Sequence, residues 1–250
     1  MILKITLKDK RYRGCEGMYM EGVLTVKQIR RLERRERIKL RNEPPRLTVR
    51  EEVFNAVSHG LGALLAAGCL VLLLLRSDTG MEIMASCFYG ISMVVMMGMS
   101  GVYHAMKSGS AVKRVCRRFD YTSIYLLIGG TFAPIFLLYL GGTVGVVLFC
   151  VQWAVILCGV TLMLTLGPGC WRSVHFTLYF LLGWSGVLFL PSFLIRARGL
   201  LCFILMGGLA YTLGMIPFVR KRKYDHCVWH LCVLLGAALH FWGIYTRLYA

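Results

Sequence analysis

Residues 53–75, VFNAVSHGLGALLAAGCLVLLLL, run for 23 positions without an Asp, Glu, Lys or Arg. A hydrocarbon core roughly 30 Å thick needs about 20 apolar residues per helical span, so this one stretch is long enough to cross a bilayer. Six more reach that length, at approximately residues 83–106, 119–140, 143–166, 174–195, 199–219 and 226–247. Backbone amides cannot go unpaired in lipid, and none of these runs alternates polar with apolar as a barrel strand does, so they are predicted to be helices. The whole composition agrees: the chain is 57% hydrophobic with a mean hydropathy of +0.64, against about 45–50% apolar in ordinary soluble domains. The sequence therefore predicts an all-α, seven-transmembrane helix bundle over residues 53–250, preceded by a basic tail over residues 1–52. A multi-pass protein of the cell (plasma) membrane is expected, because residues 1–22 contain no continuous apolar core of the kind a secretory signal needs.

The net charge of +17 would suggest nucleic acid in a soluble protein, but here the placement of the charge matters more than its sum. If the chain crosses seven times, 25 of its 29 Lys and Arg fall on the side of the amino terminus. Only Arg76, Arg196, Arg198 and Arg247 fall on the other side. The positive-inside rule then places the amino terminus in the cytoplasm and the carboxyl terminus outside. Leaving out the tail, the partition is still 10 to 4.

Residues 24–42, LTVKQIRRLERRERIKLRN, read as a basic helix with too few apolar positions to insert, set off from the first span by Pro44 and Pro45. Such a helix is expected to lie in solvent or on a surface and to be drawn to anionic headgroups. It interleaves no aromatic platforms with its cations, which argues against nucleic acid as a partner. None of the ten cysteines falls in an outer loop and no Cys-x-x-Cys pair occurs, so they are expected to be small buried hydrophobes rather than disulfides.

Ionisable groups inside a membrane are expensive, and several gathered at one depth are a site hypothesis by default. His226 and His230 open the seventh span one helical turn apart, so both imidazoles project from one stripe and can reach one ion. His104 closes the second span, one turn after Ser100, on the same side of the membrane. Together they supply three nitrogens from two helices, the usual protein share of a catalytic zinc. Cys227 stands where a His-Glu-x-x-His motif has its glutamate, so a hydrolytic base must come from another helix. Asp120, at the start of the third span, is the candidate nearest in depth; its alternative role is to pair with Arg117 or Arg118. In the first span Glu52, Asn55 and His59 lie at i, i+3 and i+7 on one stripe, read as partners that orient the ligands, with Glu52 as a reserve base. His240 lies about 15 Å beyond His230 at helical rise and is expected in a supporting shell or the wall of a cavity. His175 is left outside the constellation.

With these residues in place the chain resembles the haemolysin III branch of the progestin and adipoQ receptor family, to which the adiponectin receptors belong. The resemblance covers roughly residues 50–250. It rests on Glu52-x-x-Asn55-x-x-x-His59, on Ser100-x-x-x-His104 followed by Asp120, on IYLLIGGTFAP from Ile124 to Pro134, and on His226-x-x-x-His230 followed by Gly236 and His240. It implies a seven-helix bundle with zinc near the cytoplasmic leaflet, His104, His226 and His230 as the ligands, and Asp120 and Ser100 beside the attacking water. It also implies a likeness to alkaline ceramidases, which hydrolyse an amide in a lipid.

The function expected is zinc-dependent hydrolysis of an amide or ester bond in a membrane lipid, with Asp120 taking or relaying the proton and Ser100 steadying the oxyanion. A membrane sensor or receptor with a closed, structural zinc site is the alternative from a different class. Cytolysis through a pore, suggested by the family name alone, is the third; the spans carry no rings of charge.

Overall fold

The computed structural model describes residues 26–249. Among these, seven helical segments are long and apolar enough to cross a membrane: Val49–Leu75, Gly80–Ala105, Ala111–Leu140, Gly142–Leu166, Arg172–Arg196, Arg198–Arg220 and Asp225–Leu248. The expected basic helix is also present, as α1 (Val26–Arg41); the part of the tail before it, with Cys15, lies outside the described residues.

The first two spans open on capping boxes that fix where they begin. In α2 (Val49–Leu75) the Thr48 side chain accepts from the Glu51 backbone at 3.4 Å while the Glu51 carboxylate accepts from the Thr48 backbone at 2.9 Å. Thr79 and Glu82 repeat the device at the head of α3 (Gly80–Ala105). Each box satisfies two amides that helix geometry leaves orphaned. This is why α2 starts four residues before the apolar run at Val53.

The third span is α4 (Ala111–Pro134), which begins eight residues before the expected 119 because Ser110 caps it on the Lys113 amide at 3.0 Å. Pro134 cannot continue the ladder, and the helix widens into a π turn over Ile135–Leu140 that stops at Gly141, whose φ of 61° suits a residue without Cβ. The fourth span is α5 (Gly142–Leu166). The fifth, expected to be continuous, is broken into α6 (Arg172–Gly183), a 3-10 turn (Ser185–Phe189) and α7 (Leu190–Arg196). The sixth and seventh are α8 (Arg198–Arg220) and α9 (Asp225–Leu248).

Packing makes α4 the central helix, with 67% of its apolar window buried, whereas α2, α5, α6–α7 and α8 turn most of their surface outward. The outward residues are leucines such as Leu64 and Leu65, both 71% exposed, which lipid tails would cover. Small residues let the helices close up. A Cβ on Gly101 of α3 would meet the Gly60 amide of α2 at 3.2 Å and the Ala56 carbonyl at 3.3 Å. The ends of the bundle sort as the charges foretell: Arg76 reaches the Tyr249 carbonyl and Arg247 lies against Gly199 at one end, while Arg117 binds the carbonyls of Asn42 and Glu43 at the other.

Asn42 ties α1 to the bundle. Its amide donates to the Leu166 carbonyl at 2.8 Å, and its side-chain oxygen accepts from Gly169 at 2.8 Å, across the turn between α5 and α6.

Candidate metal centre

His104 sits in the last turn of α3, and His226 and His230 in the first two turns of α9, at the end of the bundle that also carries α1. A capped turn holds the head of α9 in place. Asp225 accepts from Arg220 Nε and Nη2, at 3.0 and 2.6 Å, and from the Arg222 amide at 2.6 Å, while the Tyr224 amide donates to Glu51 of α2 at 2.7 Å. Glu51 thus serves two helix starts at once, a role the sequence reading did not assign to it.

The three histidines converge. The Nε2 atoms of His104 and His226 are 3.1 Å apart and those of His226 and His230 are 3.3 Å apart, and one ligand atom from each residue lies within 4.8 Å of the others. Tetrahedral zinc with nitrogens at about 2.0–2.1 Å places them roughly 3.3–3.4 Å from one another, so the two short edges fit that ion. The donor chemistry fits as well. His104 Nδ1 faces Glu52 Oε2 at 2.7 Å, which places a proton on Nδ1 and leaves a bare lone pair on Nε2, directed at another imidazole nitrogen. Lone pairs converging in a buried place are tolerable when a cation stands among them.

Glu52 is itself fixed from behind. Its other oxygen lies 2.9 Å from the Lys113 ammonium, which is 1% exposed and also donates to the carbonyls of Tyr103 and Met106 at 3.1 Å and His104 at 3.4 Å. Lys113 therefore closes the carboxyl end of α3, where carbonyls are orphaned and the helix dipole is negative. Lys113 lies two helical turns before Asp120 on the same stripe of α4, but its partners are on other helices, and only the packing of α4 against α2 and α3 reveals its task.

The other expected residues are placed as follows. Asn55 is fully buried on the inner stripe of α2, and the His59 ring stacks on His230 at 3.7 Å between centroids. Ser100 and Asp120 both line the cavity that His226 and His230 face. The alternative pairing of Asp120 is not formed: Arg117 binds the Asn42 and Glu43 carbonyls and Arg118 the Leu164 carbonyl. His240 stands apart from the triad, with Nε2 on the Ile204 carbonyl at 3.0 Å, and His175 pairs with the Tyr125 hydroxyl at 2.8 Å. All cysteines among the described residues are free, as expected, but only Cys116, Cys170 and Cys227 are buried, while Cys150, Cys158 and Cys202 lie exposed on the outside of the bundle where lipid would cover them.

A cavity of about 520 Å³ opens beside the triad between α4, α6, α8 and α9. His226, His230, Ser100 and Asp120 line one end and His240 the other, with aromatic and aliphatic side chains between. Phe180 and Leu181 of α6 line it and are 56% and 62% exposed, so the cavity is not closed off by packing along this wall.

The family described as Haemolysin-III related matches residues 47–241. Hemolysin-3 of Bacillus cereus is 29% identical over 201 residues, 78% of this chain and 91% of the relative. The Hemolysin-3 homolog of Bacillus subtilis is 28% identical over 202 residues, 79% of this chain and 94% of the relative. The monocyte to macrophage differentiation factor of Homo sapiens is 26% identical over 210 residues, 81% of this chain and 86% of the relative. With seven membrane-length helices and a match over most of its length, the chain belongs to the haemolysin III family of multi-pass membrane proteins, within the progestin and adipoQ receptor superfamily.

Proposed function

We propose that this protein is a zinc-dependent hydrolase of an amide or ester bond in a membrane lipid, working at the cytoplasmic leaflet of the plasma membrane. The observation that carries the reading is the convergence of the His104, His226 and His230 nitrogens, with Ser100 and Asp120 lining the same apolar cavity as His226 and His230. Zinc held by three nitrogens lowers the pKa of water to about 7, which provides a nucleophile at neutral pH.

The chain's own residues do the rest. Glu52 holds His104 in the tautomer that offers Nε2, and Lys113 holds Glu52. Asp120 accepts the proton of the attacking water and returns it to the leaving group, while the Ser100 hydroxyl, next to it, donates to the oxyanion. The lipid tail enters through the wall at Phe180 and Leu181 and fills the cavity towards His240, which brings the polar bond to the triad. Three protein nitrogens leave a coordination position open, which favours turnover over a sensor with a closed structural site. The basic face of α1 would rest on anionic headgroups beside that opening.

The test is fatty acid release by the purified protein from lipid amides and esters. Release that disappears in His226→Ala and Asp120→Ala supports the reading. Stoichiometric zinc with no release from any lipid presented would return the site to the structural class, and folded protein without metal would end both.

A further inference from the structure

Three cations stand over or beside rings that line or flank the cavity: Arg117 in the second turn of α4, Arg172 at the start of α6 and Lys221 at the end of α8. Arg117 of α4 lies 5.3 Å over the Tyr121 ring and Arg172 of α6 lies 5.0 Å over the Phe176 ring. Both rings line the cavity, and both pack on Phe218, at 6.4 and 5.9 Å between centroids. Lys221 caps α8 three residues after Phe218. The Phe218 ring lies in turn 5.8 Å from that of His226, so a continuous set of rings leads from the cations to the triad.

Like charges do not gather without cause. Arg172 and Arg117 both push the Lys221 ammonium below its ordinary range, Arg172 the more, with partial burial adding to it. Among the described residues no carboxylate lies within ion-pair distance of any of the three. Asp120 forms no ion pair with Arg117, and Asp225 is held by Arg220 and the Arg222 amide. Arg117 spends one nitrogen on two carbonyls and keeps its Nε buried without a partner. The backbone is forced as well: Lys221 has φ 59° and Trp171, directly before Arg172, has φ 54°, the left-handed region that bulky residues avoid. Backbone strain of this kind persists where the surroundings impose it, and it sits here on Lys221 and on the residue before Arg172.

We propose that Arg117, Arg172 and Lys221 form a phosphate site at the mouth of the cavity, and that the lipid taken up carries an anionic phosphate headgroup. Guanidinium forks and an ammonium suit phosphate oxygens, and the rings beneath them suit the first carbons of the tail. This rests on the cavity being a lipid chamber, as proposed above, but not on turnover at the triad.

The experiment measures binding to the purified full chain by tryptophan fluorescence, since Trp184 and Trp229 line the cavity. Three probes are compared: dioctanoyl phosphatidic acid, neutral dioctanoylglycerol and inorganic phosphate. Arg172→Gln with Lys221→Gly is expected to weaken phosphatidic acid binding by about tenfold or more, the scale of lost charge-assisted contacts, and to leave the neutral lipid unchanged. Glycine suits φ 59° at 221, so Lys221→Gly alone keeps the fold while removing a charge. Arg196→Gln with Arg198→Gln removes the same charge at the opposite end and should have no effect. Phosphate alone, bound with the same sensitivity to the mouth variants, assigns the site to free phosphate instead of a headgroup. Equal affinity for the charged and neutral lipids, or phosphatidic acid binding that survives both mouth substitutions in folded protein, overturns the proposal. His226→Ala should lose any release of fatty acid yet keep phosphatidic acid binding, so a failed hydrolase reading remains separate from a failed phosphate site.

Discussion

The Lys113 ammonium and the Glu52 carboxylate lie 2.9 Å apart, their side chains 1% and 12% exposed, and the same carboxylate meets His104 Nδ1 at 2.7 Å. The pair fastens the amino end of α2 to the carboxyl end of α3 and sets the imidazole between them. Removing one partner leaves the other charge buried and alone, which typically costs about 3–5 kcal/mol. Lys113→Met should therefore lower the thermal unfolding midpoint in detergent sharply. Lys113→Met combined with Glu52→Gln should lose less than the sum of the single losses, because the second change removes the stranded charge. Strict additivity in that cycle would show that the two groups do not act as a pair.

Metal content depends on all three imidazoles. His104→Ala and His226→Ala should each reduce zinc in the purified protein from near one per chain to background, measured by elemental analysis beside a circular dichroism check of helix content. A chelator should do the same to the parent protein and lower its melting temperature, since binding energy at a site absent from the unfolded chain is folding energy. Full zinc retention in either variant would place the ion elsewhere.

Glu52 touches a ligand without being one. Glu52→Ala should keep helix content yet weaken zinc affinity by about 10–100-fold, the usual effect of losing a carboxylate behind a ligating histidine. Competition with a chromophoric chelator gives the number. An unchanged affinity would mean that His104 is oriented by α3 alone.

Helix contact at the far end of the cavity has no slack. A Cβ on Gly207 of α8 would collide with the His240 ring and stand 3.0 Å from the Gly236 carbonyl of α9. His240 cannot swing aside without giving up its bond to the Ile204 carbonyl. Gly207→Ala should cost about 1–3 kcal/mol, the range for overpacking a close interface. Thermal unfolding in detergent would reveal it, and an unchanged midpoint would show that α8 and α9 can separate at this level.

Chemical reading of the chain reached the bundle and the triad because both leave local marks. Apolar runs of about 20 residues report spans directly, and His226 with His230, like Ser100 with His104, share a face by helical period alone. The supporting structure leaves no such mark. Lys113 and Glu51 look like ordinary charges at helix starts, and their partners are remote in sequence: Tyr103 and Glu52 for the first, Tyr224 for the second. Asn42, between a basic helix and a proline pair, has no pattern either, yet it binds the turn at Leu166 and Gly169.

Hydrophobic run length therefore determined the number of helices, their approximate bounds and which polar groups share a depth, since a backbone in lipid has no choice but to pair within its own segment. Side-chain partnership was decided by tertiary structure alone. Which carboxylate stands behind His104, where the fifth span breaks, and which cations frame the cavity all depend on how remote helices cross, and packing of that kind is written in shapes rather than in spacing.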